Sequence, residues 1–209
     1  SSDLNKNQSV FEYSLNFKGN TFIVRSLIDE LTNISQNTYV IGQVTTFQHT
    51  GLLLEDKIIA GSFSNIGKLN GCGFYVLNDI SQEYNRFSIP NISKPGSLKY
   101  IDGCSNTELI SPVLLGLPSV NYLHVPSNTT QTAHIHKSAR IGWVADGHGS
   151  AVTDIGEHQL SKNTMFILPA YENHYFKTVD HSLSIIVFHP DSDLGPTDEN
   201  NNMKVRTHI

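Results

Sequence analysis

This sequence has few charged residues, only two cysteines and no long apolar run. Charged side chains make up 16% of its 209 residues, and the formal net charge is -5 at pH 7. Nucleic acids and anionic membrane surfaces attract basic proteins, so this balance argues against both as partners. A membrane-spanning helix needs roughly 18 or more consecutive apolar residues, and no such run occurs. The sequence therefore predicts a globular protein that binds neither nucleic acid nor membrane.

The two cysteines, Cys72 and Cys104, both lie beside glycines in turn-like surroundings. Two cysteines do not make the disulfide framework that is typical of small secreted proteins. Two free thiols are favoured over a single bridge between them. No secretory signal stands at the start of the sequence. We therefore expect a cytoplasmic protein.

Short apolar segments separated by Gly, Pro and Asn dominate the chain, and they predict an all-β fold. Short, evenly spaced strands with such turns are typical of a double-sheet jelly roll. Val113 to Leu117 and Val120 to Val125 are expected to be strands that enter the barrel. One segment departs from this pattern, because the mixed apolar spacing from Phe22 to Leu31 predicts a short helix.

Three parts of the chain are expected. Residues 1–108 would be a strand-rich N-terminal extension that contains the helix and packs on a barrel formed by residues 109–190. A degenerate second barrel is the alternative for the first part, which carries only His49 and so lacks a matching metal site. Residues 191–209 would be an acidic C-terminal arm, favoured as solvated over a lid that covers the barrel mouth or brings a carboxylate to the site.

His134, His136 and His174 carry the strongest chemical signal in the sequence. Residues two apart in a strand point to the same face, so His134 and His136 would project together. A third imidazole from another strand would complete a set of ligands for one divalent metal and leave coordination positions open, as catalytic sites require. The His-x-His pair alone is a weak motif, and two surface histidines are its alternative interpretation.

The stretch that carries these histidines resembles the cupin family. That family's first motif is His-x-His, then a Glu and a Gly; here His134 and His136 match the pair, and Gly147 falls at the position of the glycine. Its second motif is Pro-x-Gly, two residues and a His; Pro169 and His174 match it. The resemblance covers roughly residues 110–190 and implies a cupin-type double-stranded β-helix, or jelly-roll barrel, with a metal site.

Two positions depart from the cupin motifs: Arg140 stands where the Glu ligand is expected, and Tyr171 replaces the glycine. A guanidinium has only donors and stays protonated, so Arg140 cannot ligate a metal. Counting by two from His134, Arg140 points into the cavity and would bind an anionic substrate. A bulge would instead turn it outward to a surface ion pair, and the sequence leaves both alternatives open.

The resemblance implies a metal-dependent enzyme, closest to non-haem iron oxygenases that act on a small, carboxylate-bearing substrate with O2 as co-substrate. Fe(II) is the expected metal, with Zn, Ni, Cu and Mn also compatible with imidazole ligands. The runs Arg140–Gly142 and Phe188–Asp193 are similar to cupin domains of enzymes that form nitrogen–nitrogen bonds, which would make the substrate a hydroxylated amino-acid derivative. A metal-dependent lyase, isomerase or hydrolase, and a non-catalytic cupin that binds a small ligand, are the alternatives.

Further residues are assigned roles in that interpretation. Arg140 and Tyr171 are expected to be catalytic, and Arg140, Trp143 and Tyr175 to bind substrate. His124 and His189 are candidates for orienting a metal-ligating imidazole. Exposed strand edges on a jelly roll also allow a homodimer.

Overall fold

A computed structural model describes residues 11–80 and 85–208 of the chain, and its strands form two antiparallel sheets. This confirms the predicted all-β, jelly-roll fold. No helix among these described residues is long and apolar enough to cross a membrane. The first sheet contains β1 (Glu12–Phe17), β2 (Asn20–Leu27), β3 (Leu31–Ile34), β4 (Thr38–His49), β5 (Leu52–Leu54), β6 (Lys57–Phe63), β7 (Ile66–Asn78) and β8 (Arg86–Ser88).

The second sheet lies in the C-terminal half and provides the walls of the candidate site. It contains β9 (Leu98–Lys99), β10 (Ser105–Ile110), β11 (Ser119–Val125), β12 (Arg140–Thr153), β13 (Gly156–Ser161), β14 (Met165–Leu168), β15 (His174–Lys177) and β16 (Leu183–His189). A single 3-10 turn (Ile101–Gly103) precedes β10, and the short helix α1 (Asn202–Arg206) lies near the end of the chain.

The helix predicted from Phe22 to Leu31 is wrong, because this segment forms β2 and the start of β3. Phe22 and Val24 are fully buried, while the residues between and beside them are only partly buried. This alternation, together with β-branched and aromatic side chains, suits a strand with one buried face. β2 pairs with β1 on one side and with β7 on the other.

The predicted strand from Val113 to Leu117 is also wrong. This segment is a turn, and the C-terminal arm docks on it: Leu115 N–H donates to Pro196 O at 2.9 Å, and Gly116 N–H donates to Ser192 O at 3.0 Å. Asp191 at the start of the arm is only 7% exposed and pairs with Lys18 at 2.9 Å. The arm therefore ties the two halves of the chain together.

The two sheets pack face to face, and each also encloses an interior of its own. Phe188 of β16 contacts Phe22 and Tyr39 of the first sheet, with ring centroids 5.9 and 5.0 Å apart. Successive residues of a strand point to opposite faces, so alternate side chains enter different interiors. In β12, Ile141 and Trp143 enter the core between the sheets, whereas Val144 packs inside the C-terminal half.

The strand pairing of the N-terminal half repeats that of the C-terminal half. The order β1-β2-β7-β4-β6 corresponds to β10-β11-β16-β12-β14. Both long central strands carry a bulge at the same place, after Val44 in β4 and after Val144 in β12. In both, the segment ahead of the long strand pairs with a later one, Ile34 with Ile66 and His134 with His174.

This correspondence places Ile34, Gln36 and Ile66 where the C-terminal half has its three histidines. Phe47 and Phe63 fill the interior of the N-terminal half, with ring centroids 4.6 Å apart. Among the described residues, this half contains no cluster of three metal-ligating side chains. We propose that residues 12–80 and 85–88 belong to a second copy of the C-terminal fold whose interior is closed by apolar packing; the predicted division at residue 108 stays a prediction.

Candidate metal centre

The three predicted histidines converge. Their ligating nitrogen atoms all lie within 4.8 Å of one another, and their ring centroids are 4.7–5.1 Å apart. His174 is buried in β15, while His134 and His136 lie in the extended segment that leads into β12 and are half-buried. The structure therefore brings together the set that the sequence predicted, although the pair does not lie in a regular strand.

A backbone ladder fixes the segment that carries His134 and His136 against β15. Gln131 N–H donates to Phe176 O, and His134 and His174 exchange two backbone hydrogen bonds, all at 3.0 Å. The side chain of Gln131 adds to this ladder, because its Oε1 accepts from Phe176 N–H at 3.1 Å. The imidazoles are thus positioned by main-chain pairing rather than by flexible side-chain contacts.

Backbone carbonyls also select the nitrogen that two of the three rings present. Nδ1 of His134 lies 2.9 Å from Thr132 O, and Nδ1 of His174 lies 2.8 Å from Glu172 O. A carbonyl only accepts hydrogen bonds, so these rings carry their proton on Nδ1 and leave the lone pair on Nε2. Such a carbonyl contact is the usual way in which proteins orient a metal-ligating imidazole.

The environment keeps the imidazoles of His136 and His174 neutral, as ligation requires. Burial, Arg140 and the two neighbouring histidines lower the pKa of His136 to about 3. Burial also lowers the pKa of His174, against the opposing effect of its hydrogen bond to Glu172. The donor set of neutral nitrogen atoms fits a divalent transition metal.

A cavity of about 140 Å³ opens in front of the three histidines. Its apolar wall consists of Leu123, Phe166, Leu168, Phe176 and Val187. Asn106, Asn121, Gln131, Arg140 and His189 form its polar side, and Tyr100 lies beside His134. No carboxylate occurs among these lining residues of the described chain, so a metal held by the histidines would keep its full positive charge toward a ligand.

Arg140 points into this cavity, which resolves the alternative that the sequence left open. Its Nη1 donates to Ser138 Oγ at 2.7 Å and Ser138 O at 3.0 Å, which holds the guanidinium in place. Its Nε is buried and has no hydrogen-bond partner. A charged donor without a partner in a closed space is costly unless a ligand accepts from it.

The structure does not bring Trp143, Tyr171 or Tyr175 to the cavity. Trp143 is fully buried between the two sheets, because its parity in β12 is opposite to that of Arg140. Tyr175 is likewise opposite to His174 and Phe176, and Tyr171 is 65% exposed on the turn before β15.

The backbone of Tyr171 serves the site although its side chain points away. Its N–H donates to His136 O at 2.7 Å, and its φ is 61°, in the left-handed region that favours glycine. This is the position where the cupin motif has glycine. The turn thus keeps the glycine geometry with a tyrosine in it.

His189, Asn106 and Asn121 line the cavity. The two asparagines were not singled out from the sequence, and His189 was expected only to orient a metal-ligating imidazole. His189 follows Ile185 and Val187 at steps of two along β16, so parity within this strand was the one signal that could have indicated it. Burial, Arg140 and His136 lower the pKa of His189 well below its ordinary value. His124, its companion in the sequence interpretation, instead lies near Tyr122 and Ser184.

A second, polar cavity of about 320 Å³ adjoins the first. The two share Asn106, Asn121, Arg140 and His189. The docked arm contributes to the second cavity, whose other lining residues include Glu108, Lys137, Asp191, Ser192 and Asp193. A ligand can therefore enter through the polar second cavity and pass Arg140 to reach the histidines.

Several solved structures of other proteins have this fold over most of the length of the chain. A family model described as the AraC-like ligand binding domain matches residues 122–194, which is less than half of the chain. No curated protein matches the sequence significantly. A solved structure of a cupin 2 conserved barrel domain protein from Leptotrichia buccalis has a TM-score of 0.57 at 13% identity, and the match covers 88% of this chain and 90% of that one.

Two solved structures of one dioxygenase resemble this chain to a similar degree. Salicylate 1,2-dioxygenase from Pseudaminobacter salicylatoxidans has a TM-score of 0.57 at 10% identity, covering 86% of this chain and 76% of that one. A structure of this enzyme described as adducts with gentisate has a TM-score of 0.58 at 9% identity, covering 82% and 68%. At these identities the likeness shows the fold alone.

The left-handed turn at Tyr171 generates the first testable prediction. Glycine in place of alanine usually destabilises a protein by roughly 0.5–1 kcal/mol. At residue 171 we expect the order to reverse, because a Cβ in the left-handed region costs about 1–2 kcal/mol. Urea unfolding should therefore show Tyr171→Gly to be more stable than Tyr171→Ala. The same two substitutions at Tyr175, which lies in a regular strand, are the control and should show the ordinary order; the ordinary order at both positions would contradict the prediction.

The lowered pKa values of His136, His174 and His189 predict acid sensitivity in the metal-free protein. Below the ordinary histidine pKa of about 6.5 the unfolded chain takes up protons that the folded chain does not. Stability should therefore be complete above this pH and fall as the pH drops from about 6.5 to 5, by up to ~1.4 kcal/mol per pH unit for each such histidine.

Urea unfolding at about pH 7.5 and about pH 5, on either side of the ordinary histidine pKa, measures this loss. His189→Gln should lose less stability between the two pH values than the parent does, because one of these imidazoles is gone. Val187→Ala perturbs packing at the same cavity without removing a titratable group, and it should lose as much as the parent. Equal losses in the parent and in His189→Gln would contradict the prediction.

Proposed function

Since this chain has the cupin fold, as its histidine motifs predicted, we propose that it is a metal-dependent enzyme, a non-haem iron oxygenase that acts on a small carboxylate-bearing substrate. One observation carries the proposal: three converging imidazoles, two of them with a free Nε2 because a carbonyl holds Nδ1, face a small, largely apolar cavity that also contains a half-buried arginine. A structural metal site would be closed by a fourth protein ligand, whereas this set leaves positions for exogenous ligands.

Each residue has a role in this proposal. His134, His136 and His174 hold the metal, which when bound supplies Lewis acidity and, as iron, redox chemistry. Arg140 binds the substrate carboxylate through its free donors and orients the rest of the molecule toward the histidines. His189 is neutral beside Arg140 and can accept a hydrogen bond from the substrate. The apolar wall excludes water from the reacting atoms.

The size and charge of the two cavities favour a small anion. The inner cavity of about 140 Å³ is smaller than the roughly 300–1,000 Å³ typical of drug-sized ligands, so it suits a molecule such as a hydroxybenzoate or an amino-acid derivative. Gentisate, which forms adducts with the similar salicylate 1,2-dioxygenase, is a carboxylate of this size class. Salicylate and gentisate are therefore reasonable first probes, alongside hydroxylated amino-acid derivatives.

A small-ligand-binding cupin without catalysis is the second candidate function. The match of residues 122–194 to an AraC-like ligand binding domain favours it. Such a protein would use the same cavity to capture its ligand, and Arg140 would again contact the carboxylate. It differs from the enzyme in one measurable respect, because bound ligand would be released unchanged.

Metal content is the measurement that tests the enzyme proposal. Elemental analysis of protein purified without chelator should find iron near one equivalent in the parent. His136→Ala should lose this metal, because it removes one of three ligands, and His158→Ala is the matched control that removes an exposed histidine elsewhere. With iron present, O2 consumption on the carboxylate panel should follow.

Other outcomes have definite meanings. Stoichiometric zinc or nickel that His136→Ala removes, without O2 consumption, would indicate a lyase, isomerase or hydrolase instead. Full metal occupancy with ligand binding but no conversion would support the binding protein. Absence of metal even after reconstitution would show that the three histidines do not form a site, and the enzyme proposal would be abandoned.

Arg140 provides a separate prediction. A hydrogen bond to a charged group is worth about 1.5–3 kcal/mol, so Arg140→Gln should weaken binding of a small carboxylate roughly 10- to 100-fold. Isothermal titration of the metal-loaded protein with gentisate measures this change. Lys137→Gln removes a positive charge on the neighbouring cavity and is the control, expected to have a much smaller effect. Equal affinity in the parent and in Arg140→Gln would contradict the assigned role.

A further inference from the structure

A second group of metal-ligating side chains lies outside both cavities. It consists of His148 in β12 together with Asp180 and His181 in the turn between β15 and β16. All three side chains are exposed, at 51%, 68% and 60% respectively. None of them belongs to the ligand set of the candidate metal centre.

The three side chains already converge on one point. Their ligating atoms lie within 4.8 Å of one another. A single carboxylate oxygen, Oδ1 of Asp180, lies 3.3 Å from His148 Nε2 and 3.1 Å from His181 Nδ1. The two imidazole rings have centroids 4.3 Å apart. Two nitrogen ligands and one oxygen ligand therefore face a common centre.

The backbone fixes this arrangement although the side chains are on the surface. Gly147 pairs with Leu183 and has a φ of 79°, and a Cβ there would lie 1.9 Å from Ser182 O. His148 N–H donates to the same Ser182 O at 3.3 Å. Strand β12 and the turn are thus pressed together beside the bulge, which places His148 against His181. A site built on paired backbone loses less side-chain and loop entropy on binding than one on a free loop.

We propose that His148, Asp180 and His181 form a surface site for a divalent transition metal such as Zn²⁺ or Ni²⁺. Two imidazoles and one carboxylate are a donor set that these ions prefer, and magnesium and calcium do not. The cation takes the place of the two ring N–H protons that would otherwise donate to Asp180. The remaining coordination positions face solvent and are filled by water or by a side chain of another molecule.

The simpler alternative is a hydrogen-bonded cluster without metal. In that case Asp180 accepts from the two rings and nothing more is bound. The two cases differ in what a metal titration finds, because a hydrogen-bonded cluster gives no stoichiometric binding that depends on these three residues.

Equilibrium dialysis with Ni²⁺, on the full chain first stripped of metal, tests the proposal. Four proteins are compared: the parent, the double variant His148→Ala and His181→Ala, His136→Ala, and the triple variant. The double variant should bind one ion fewer than the parent. In the His136→Ala background the surface site should remain, and the triple variant should lose it.

This design keeps the surface site separate from the proposed function. If the inner histidines bind no metal, the parent should still bind one ion and the double variant none. Asp180→Asn retains the shape of the carboxylate but not its charge, and it should weaken binding; His158→Ala should not change it. Thermal unfolding of each variant establishes that it is folded. Equal stoichiometry in the parent and in the double variant would overturn the proposal.

Discussion

The backbone bridge between His134 and His174 is the contact on which the rest of the site depends. These residues exchange two main-chain hydrogen bonds, so their side chains emerge side by side from neighbouring segments. Carbonyls two residues before each of them, from Thr132 and Glu172, then orient the rings. Because main-chain pairing and carbonyl contacts both act within a few residues of each imidazole, the metal-binding geometry needs no support from a distant loop. The cavity wall is added around this bridge by the alternate residues of β11, β14, β15 and β16.

The same backbone pairing also occurs in the N-terminal half, but without histidines at the paired positions. In the N-terminal half, Ile34 and Ile66 occupy the paired positions of His134 and His174, and phenylalanine rings occupy the interior. Apolar side chains at these positions fill the interior as a packed core in place of a cavity. One half of the molecule then supplies stability and a packing surface for β16, while the other half can keep a partly empty, polar interior.

The spacing of the histidines let the sequence predict the cavity ligands, whereas strand parity put Arg140 in the cavity only if the strand had no bulge, so its side was left open. Parity also indicated that Trp143 is opposite to Arg140, although a role at the site was still expected of it. The prediction was wrong for Phe22 to Leu31 because apolar residues at mixed spacing fit helix and strand alike, and only pairing with β7 decides between them. His189 was expected to orient an imidazole but not to line the cavity, because its place depends on the register of β16 against β11 and β12, which joins residues far apart in the chain.

The docked arm gives Arg140 an internal counter-ion. Burial lowers the pKa of Arg140, and Tyr100, Asp193 and Asp191 oppose this effect, so the two carboxylates of the arm stabilise the guanidinium before any ligand arrives. An incoming anion therefore meets a guanidinium whose charge is already partly offset. This favours ligands that bring hydrogen-bonding geometry as well as charge. Lys18 holds Asp191 from the other half of the chain, so the ionic selectivity of the cavity is set in part by a residue that never touches the ligand.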